Sequence, residues 1–162
     1  MLVNGWTLLF HDAIIGQIEI LAAATRRARK AAPQRYRTNA NVKLLAALAK
    51  LILEDIPGDP GRPEYRQGNT LGPGCRHWFR AKFFGRFRLF FRYDSRAHLI
   101  VFAWVNDEHS LRQHGGRSDP YALFRRMLDS GNPPDDWQAL VQRSRRLPRD
   151  ALGPADFSVE KD

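Results

Sequence analysis

Three short segments rich in aromatic and β-branched residues set the architecture: WFRAKF at residues 78–83, FRLFFR at 87–92 and LIVFAWV at 99–105. Runs of this composition, separated by turn residues, are typical of β-strands. Gly85 lies between the first two segments and the sequence DSRA, at 94–97, between the last two, so both connections are short enough for hairpins. The sequence therefore predicts an antiparallel three-stranded meander.

A strand and two helices are predicted before this meander. Aromatic and apolar residues at 4–10 predict the strand, and the spacing that follows predicts a helix from an N-cap at Asp12 to about Lys30. An apolar stripe over residues 42–52 predicts a second helix, which is expected to stop before Pro57 because proline interrupts helices.

Two more helices are predicted after the meander. Ser118 or Asp119 is the candidate N-cap of the first, and Gly131 is expected to end it. Asn132 is the candidate cap of the last helix, over residues 137–144.

A chain of 162 residues is long enough for one domain with a hydrophobic core. We expect that domain over residues 1–147, a disordered tail at 148–162, and a functional surface loop at 57–74, which holds four prolines and five glycines. The predicted fold class is α+β. It is a two-layer sandwich in which an N-terminal strand and two helices pack on an antiparallel sheet, with C-terminal helices.

The composition points to a negatively charged partner. The formal net charge is +9 and the pI is near 10.4, which favours association with a polyanion. Cys75 is the only cysteine, and the first residues lack a signal-peptide pattern, so a cytoplasmic protein is expected. No apolar run approaches the roughly twenty residues that span a bilayer.

One face of the predicted hairpin is cationic. Because side chains alternate across a strand, Arg80 and Lys82 share a face, and Arg88 lies on the same face of the next strand. Neighbouring like charges repel, and a bound polyanion relieves that repulsion. Arginine suits phosphate, and the rings of Trp78 and Phe90 on this face suit stacking on unpaired bases. A face of solvated arginines is the plainer alternative.

Two other features give weaker signals. Glu108 lies between His109 and His114, but this spacing matches no zinc signature, so no metal site is expected. The basic cluster at residues 26–30 complements the dipole at the C-terminus of a helix, and it also widens the electrostatic footprint.

Several blocks follow one another in a distinctive order: VNGW at 3–6, RQG at 66–68, RAKF at 80–83, GRFRLFFRY at 85–93, WVNDE at 104–108 and GNPPDDW at 131–137. Together they resemble the YhaV family within the RelE-like toxins, over about residues 3–144. The resemblance implies a RelE-like fold and a bacterial, RNA-cleaving toxin of a type II toxin–antitoxin system.

The resemblance also implies partners. The substrate is mRNA, either free or on the ribosome, and the neutralising partner is an AbrB-like antitoxin of the PrlF kind. Operator DNA is contacted only through the toxin–antitoxin complex, which represses its own operon. No cofactor and no membrane contact is implied.

The resemblance further implies which side chains act. The family's catalytic positions match four residues: Arg80, Lys82, Arg88 and Tyr121. Arg112 is the choice for the last basic group, and Arg117 competes with it. The candidate RNA contacts form a second set: Trp78, Arg86, Phe90, Arg92, Asn106 and Arg117.

The expected reaction needs no metal. The RNA 2′-hydroxyl attacks the adjacent phosphate, and fixed cations stabilise the negative charge that develops on the phosphate oxygens. Arg88 and Arg112 are expected to clamp that phosphate, with Arg80 assisting.

Proton transfer needs a base and an acid. Lys82 is a candidate base for the 2′-hydroxyl proton, with Glu108 and Asp107 as alternatives. Tyr121 is expected either to protonate the leaving oxygen or to stack on a base.

Two other functions fit the same residues. One is a module that binds RNA or the ribosome without cutting. The other is a toxin of the same superfamily that acts on a protein such as gyrase, as ParE relatives do.

Overall fold

A computed structural model describes residues 1–106 and 119–153 of the chain. Within these residues six strands form one sheet: β1 (Leu2–Val3), β2 (Trp6–His11), β3 (Phe79–Phe83), β4 (Phe87–Asp94), β5 (Leu99–Val105) and β6 (Ser144–Arg145). Their order is β1-β2-β5-β4-β3, and β6 also pairs with β2.

The predicted meander is confirmed, because β3, β4 and β5 pair antiparallel in sequence order. However, β2 runs parallel to β5, so the sheet is mixed rather than antiparallel. A parallel pair needs a crossover connection, and the two helices that follow β2 supply it.

The described helices are α1 (Asp12–Ala31), α2 (Ala40–Lys50), α3 (Ile56–Gly58), α4 (Pro120–Asp129) and α5 (Trp137–Gln142). Three 3₁₀ turns lie at Tyr36–Thr38, Pro63–Tyr65 and Arg149–Leu152, and a π-helical turn at Leu51–Asp55 joins α2 to α3. None of the described helices is long and apolar enough to cross a membrane.

The second helical segment was expected to stop before Pro57, but helical backbone continues past that residue. The π turn widens the helix there, and the N–H of Ile56 bonds to the carbonyl of Leu51, five residues back. Pro57 lies in the first turn of α3, where its missing N–H is tolerated, so helical backbone continues as far as Gly58.

Two of the predicted helix caps are one or more residues away from their expected positions. The N-cap of α1 is His11, whose Nδ1 accepts the N–H of Ala13, rather than Asp12. The N-cap of α5 is Asp136 rather than Asn132. The prediction of Asp119 for α4 is confirmed, and Gly131 follows the end of that helix with a φ of +83°.

Helices cover both faces of the sheet, which corrects the expected two-layer arrangement. On one face Leu89, Phe91 and Phe102 pack in a core with α1 and α2. On the other face Phe90 and Phe124 belong to a second core, which α4 and α5 share. The cationic face of the hairpin is therefore partly covered.

A side chain of α1 completes the sheet where β2 has already ended. The amide of Gln17 donates to the carbonyl of Val105 at 2.6 Å and accepts the Val105 N–H at 3.2 Å. Both backbone groups at the end of β5 are thereby paired.

Two segments that were expected outside the core contribute to it. Tyr65 and Leu71, from the predicted surface loop, are buried. Leu152 is 2 % exposed and packs with α1 and α2, so the ordered chain extends past residue 147, where the tail was expected to begin. Residues 107–118 and 154–162 lie outside the described part.

Candidate active site

Tyr121 links the last helices to the hairpin. The carboxylate of Asp119 accepts the N–H of Tyr121 at 2.9 Å and fixes the first turn of α4. The Tyr121 hydroxyl oxygen accepts two hydrogen bonds, from Nε of Arg80 at 2.9 Å and from Nε of Arg88 at 3.2 Å. One phenol thus joins the two central arginines of adjacent strands.

These contacts shape the acidity of Tyr121. Burial raises the pKa of the phenol, but the hydrogen bonds and charges of Arg80 and Arg88 outweigh it, so the pKa lies below the ordinary value of 10.0. A phenol oxygen accepts two hydrogen bonds and donates one. With both acceptor positions filled by arginine, and no acceptor for its hydrogen among the described residues, the hydroxyl is arranged as a donor to a ligand.

Arg80 is buried, contrary to the expectation of an exposed cation. Its side chain is 8 % exposed, and its Nη1 donates to the carbonyls of Glu64 and Arg66 at 2.7 and 2.9 Å. The loop before β3 folds against this strand, and its carbonyls bind the guanidinium. Strand alternation alone does not reveal this contact. Arg80 therefore holds Tyr121 in place.

Arg88 and Lys82 form the accessible part of the site. They lie directly opposite each other on β4 and β3, as the hairpin register predicts. Arg88 is half-buried, and its Nη1 donates to the carbonyls of Gly85 and Phe87 at 2.9 and 3.0 Å, while Lys82 is exposed. The pair of neighbouring cations that the sequence predicts is present, and its Arg88 member contacts the Tyr121 hydroxyl.

A cleft of about 530 Å³ opens beside Lys82 and Arg80. Its walls are the end of the second helical segment, the loop at residues 62–66, and the strand residues 80–82. The cleft gives an extended ligand room next to Lys82.

Comparison with known proteins identifies the family of this chain. Residues 8–145 match the family model for the YhaV toxin, described as a toxin with endonuclease activity, of a toxin–antitoxin system. The chain belongs to the YhaV toxin family. It is 40 % identical over 144 residues to Toxin YhaV of Escherichia coli O6:H1 and to Ribonuclease toxin YhaV of Escherichia coli K12, covering 88 % of this chain and 94 % of each relative. No solved structure matches.

The YhaV family assignment, and with it the endonuclease class and the toxin–antitoxin context, is confirmed. The family match does not say what each side chain does.

Trp78 and Phe90 do not form a stacking surface in this YhaV family member. Both side chains are 0 % exposed. Phe90 stacks on Phe124 of α4 with ring centroids 4.2 Å apart, and the indole N–H of Trp78 donates to Asp135 at 2.7 Å. The prediction that these two rings contact RNA is wrong, because helices that follow later in the chain cover them.

Arg92 has a packing role instead of the expected contact with RNA. Its guanidinium lies over the rings of Trp78 and Trp137, at 5.4 and 5.1 Å from their centroids. Its Nη1 also donates to the carbonyl of Asp135 at 2.6 Å. The arginine joins β4 to the start of α5.

Asn106 was expected to contact RNA, but it braces the β3–β4 hairpin. It is 2 % exposed, its Oδ1 accepts the N–H of Arg88 at 2.6 Å, and its Nδ2 donates to the carbonyl of Arg86 at 2.9 Å. Both functional groups of the amide are used internally. Asn106 therefore fixes the backbone that carries Arg88.

The remaining predicted residues divide into two groups. Arg86 is exposed in the hairpin turn and lies over the ring of Phe87, 4.8 Å from its centroid. Glu108, Arg112 and Arg117 lie outside the described residues. In the described part of the chain no three His, Cys, Asp or Glu side chains cluster as metal ligands would.

Sequence reasoning predicted a functional loop at 57–74 but missed that this loop binds Arg80. Gln67 is buried in it, donates from Nε2 to the carbonyl of Cys75 at 2.7 Å, and accepts the N–H of Leu71 at 3.2 Å. These bonds order the segment whose carbonyls clasp Arg80. The only available signal was the RQG block at 66–68, which marked the loop without giving it this role.

Proposed function

We propose that this chain is a metal-independent endoribonuclease, the toxin of a type II toxin–antitoxin system, and that it cleaves RNA by attack of a 2′-hydroxyl on the adjacent phosphate. The observation that carries the proposal is the Tyr121 hydroxyl, which is held by Arg80 and Arg88, with the exposed residue Lys82 directly opposite Arg88 on the neighbouring strand. A phenol arranged as a donor among cations suits a reaction in which a phosphate gains negative charge and an alkoxide leaves.

In this reaction the 2′-oxygen forms a bond to phosphorus, the bond from phosphorus to the 5′-oxygen breaks, and a 2′,3′-cyclic phosphate results. The 2′-hydroxyl proton passes to a base and the departing 5′-oxygen takes a proton from an acid. Arg88 stabilises the charge on the phosphate oxygens, and Tyr121 supplies the proton to the 5′-oxygen. Arg80 is a positioning residue that acts through Tyr121.

Two further roles complete the proposal. Lys82 is the proposed base, with Glu108 and Asp107 as alternatives. Arg112 is the proposed second clamp on the phosphate, with Arg117 as its competitor.

The first test compares the wild type with Arg88→Ala on single-stranded RNA in the presence of a chelator, with and without ribosomes engaged on a message. Removing a group that stabilises transition-state charge is expected to slow cleavage about 10²–10³-fold. Arg96→Ala is the matched control, because it removes an exposed arginine from the β4–β5 turn of the same sheet. DNA of the same sequence is expected to resist, since it lacks the 2′-hydroxyl.

Three outcomes would contradict the proposal. A folded Arg88→Ala variant that cuts at the wild-type rate would remove Arg88 from the site. A wild type that binds RNA but never cuts it would favour the binding module. Growth inhibition that survives loss of Lys82 and Arg88 would favour a protein target such as gyrase.

The fold family, the antitoxin and the cellular location are proposed together with this activity. A strand, two helices and a meander in this order support a RelE-like fold. An antitoxin of the AbrB-like PrlF kind would neutralise the toxin in the cytoplasm, and their complex would repress the operon.

A further inference from the structure

The first helical pair is unusually rich in positive charge. Between Glu19 and Glu54 the chain holds eight basic residues and no Asp or Glu: Arg26, Arg27, Arg29, Lys30, Arg35, Arg37, Lys43 and Lys50. This segment alone carries +8, against a net charge of +9 for the whole chain. Five of these side chains, exposed on α1, α2 and the turn between them, are here called the helix-pair patch: Arg26, Arg27, Lys30, Arg35 and Lys43.

The turn between the helices is tight and brings the end of α1 close to the start of α2. The N–H groups of Arg35 and Tyr36 both donate to the carbonyl of Ala32, so the chain reverses tightly after α1. The guanidinium groups of Arg29, from the helix, and Arg37, from the turn, each lie 5.7 Å from the centroid of the Tyr36 ring.

Intramolecular interactions do not account for the patch. Within residues 1–106 and 119–153, none of its five side chains forms an ion pair with a carboxylate. The helix dipole explains a cation such as Lys30 in the last turn of α1, but it disfavours Lys43 in the first turn of α2. Like charges kept together without partners indicate an external polyanion.

The patch differs in chemistry from a site for unpaired bases. The only aromatic residue between Glu19 and Glu54 is Tyr36, and its ring is buried. Binding of single strands relies on exposed rings that stack with bases, whereas a duplex presents regularly spaced phosphates to which cations suffice. We infer that the helix-pair patch binds the phosphate backbone of double-helical RNA.

This contact is separate from the candidate active site. Helices α1 and α2 pack on the face of the sheet that includes Leu89 and Phe91, whereas Tyr121 contacts Phe90 on the opposite face. Because the two surfaces belong to opposite sides of the sheet, the patch would hold the toxin on a folded RNA whose unpaired segment is cut elsewhere. That the bound polyanion is RNA rests on the proposed function. Binding of a duplex by the patch does not itself require cleavage.

The test measures binding to an RNA duplex in which both strands are 2′-O-methylated, because such a duplex keeps its phosphates but has no free 2′-hydroxyl to attack. Fluorescence anisotropy across a series of salt concentrations gives the affinity and its salt slope. The patch variant is Arg26→Gln/Arg27→Gln/Lys30→Gln. The control is Arg76→Gln/Arg96→Gln/Arg146→Gln, which removes the same charge from exposed positions outside the patch.

If each lost cation removes one phosphate contact, the patch variant is expected to lower the salt slope by about 3 and the affinity roughly 100-fold at about 0.15 M salt. The control is expected to change the affinity less than about 3-fold. A lysine version, Arg26→Lys/Arg27→Lys, should bind like the wild type because the charge is kept. If the triple variant does not fold, Arg27→Gln alone should lower the slope by about 1.

Equal binding by the patch variant and the wild type would overturn the inference, and so would equal losses in the patch and control variants. Loss of antitoxin binding with duplex binding intact would also overturn it, in favour of a protein-docking surface. Cleavage of a short single-stranded RNA, measured in parallel, should be unchanged in the patch variant. Failure of the wild type in that assay would count against the proposed function and not against the patch.

Discussion

The hydroxyl of Tyr121 is the single group on which the proposed chemistry depends most. Replacing it with Phe removes the proposed acid while the ring keeps its edge contact with Phe90, at 5.8 Å between centroids. Loss of an acid catalyst is expected to slow cleavage about 10²–10⁴-fold with little change in stability. Single-turnover rates on one RNA substrate measure this, and Tyr93→Phe is the matched control. Near-wild-type rates in Tyr121→Phe would leave the hydroxyl without a catalytic role.

The same hydroxyl predicts a pH dependence. Burial raises the pKa of Tyr121, but Arg80 and Arg88 bring it below 10.0, so the donor form is lost as the pH rises through that lowered pKa. Cleavage should therefore decline on the alkaline side before pH 10. In Arg80→Gln one stabilising cation is gone, the pKa rises, and the decline in the residual activity should move to higher pH. A decline that does not move would argue that another group is titrating.

Single side chains also show where sequence reasoning reaches its limit. Alternation along the strands correctly placed Arg80, Lys82 and Arg88 on one face. Alternation did not reveal that a loop binds the Arg80 guanidinium or that α4 packs over Phe90, because the loop and the helix come from other parts of the chain. Periodicity reports which residues share a face, whereas exposure depends on what packs there.

Helix α4 matters to the site through its first turn. Asp119 caps that turn by accepting the N–H of Tyr121, so the cap and the phenol of the proposed acid are two residues apart. Asp119→Ala is expected to cost about 0.5–2 kcal/mol of unfolding free energy and to reduce cleavage, because the phenol is held less firmly. Asp119→Asn should retain most of both, since asparagine is also a good cap. Urea denaturation and cleavage rates on the two variants check this, and equal losses in both would point to a role for the charge.

Elements with strong local signals were predictable. The three strands of the meander have dense aromatic and β-branched sequence, and Gly131 ends α4 where expected. The parallel pairing of β2 with β5 was not predictable in the same way, because it depends on where the helical crossover returns the chain. The continuation of helix through Pro57 depended on a π turn, for which the apolar stripe gave no sign.

The molecule as a whole is larger than the expected domain at its C-terminal end. Leu152, in the 3₁₀ turn after β6, packs with α1 and α2, although no periodic pattern precedes it. Leu152→Ala is expected to lower the unfolding free energy by about 2–5 kcal/mol, the usual cost of truncating a buried leucine. Asp150→Ala, at an exposed position of the same turn, serves as control. Matching denaturation midpoints for the two variants would mean that this turn does not contribute to the core.

Basic residues lie on both sides of the sheet, whereas the composition gave only the net charge. A net charge of +9 predicted a polyanionic partner, and side-chain alternation along the strands identified the strand cations. The basic cluster at residues 26–30 had an adequate explanation in the helix dipole until the fold brought Arg35 and Lys43 into the same helical pair. The fold, and not the sequence, showed that the helix-pair patch and the strand cations belong to two different surfaces.

Gln17 has a consequence for how the sheet meets other molecules. Its amide gives Val105 the two bonds that a neighbouring strand would have given, at a point beyond the end of β2. A strand edge with unpaired backbone groups is a template on which a second chain can add. Gln17 therefore ends the ladder of backbone hydrogen bonds at this point of the sheet, much as Asp119 caps the first turn of α4. Neither backbone group of Val105 is left for a strand of another protein molecule to pair with.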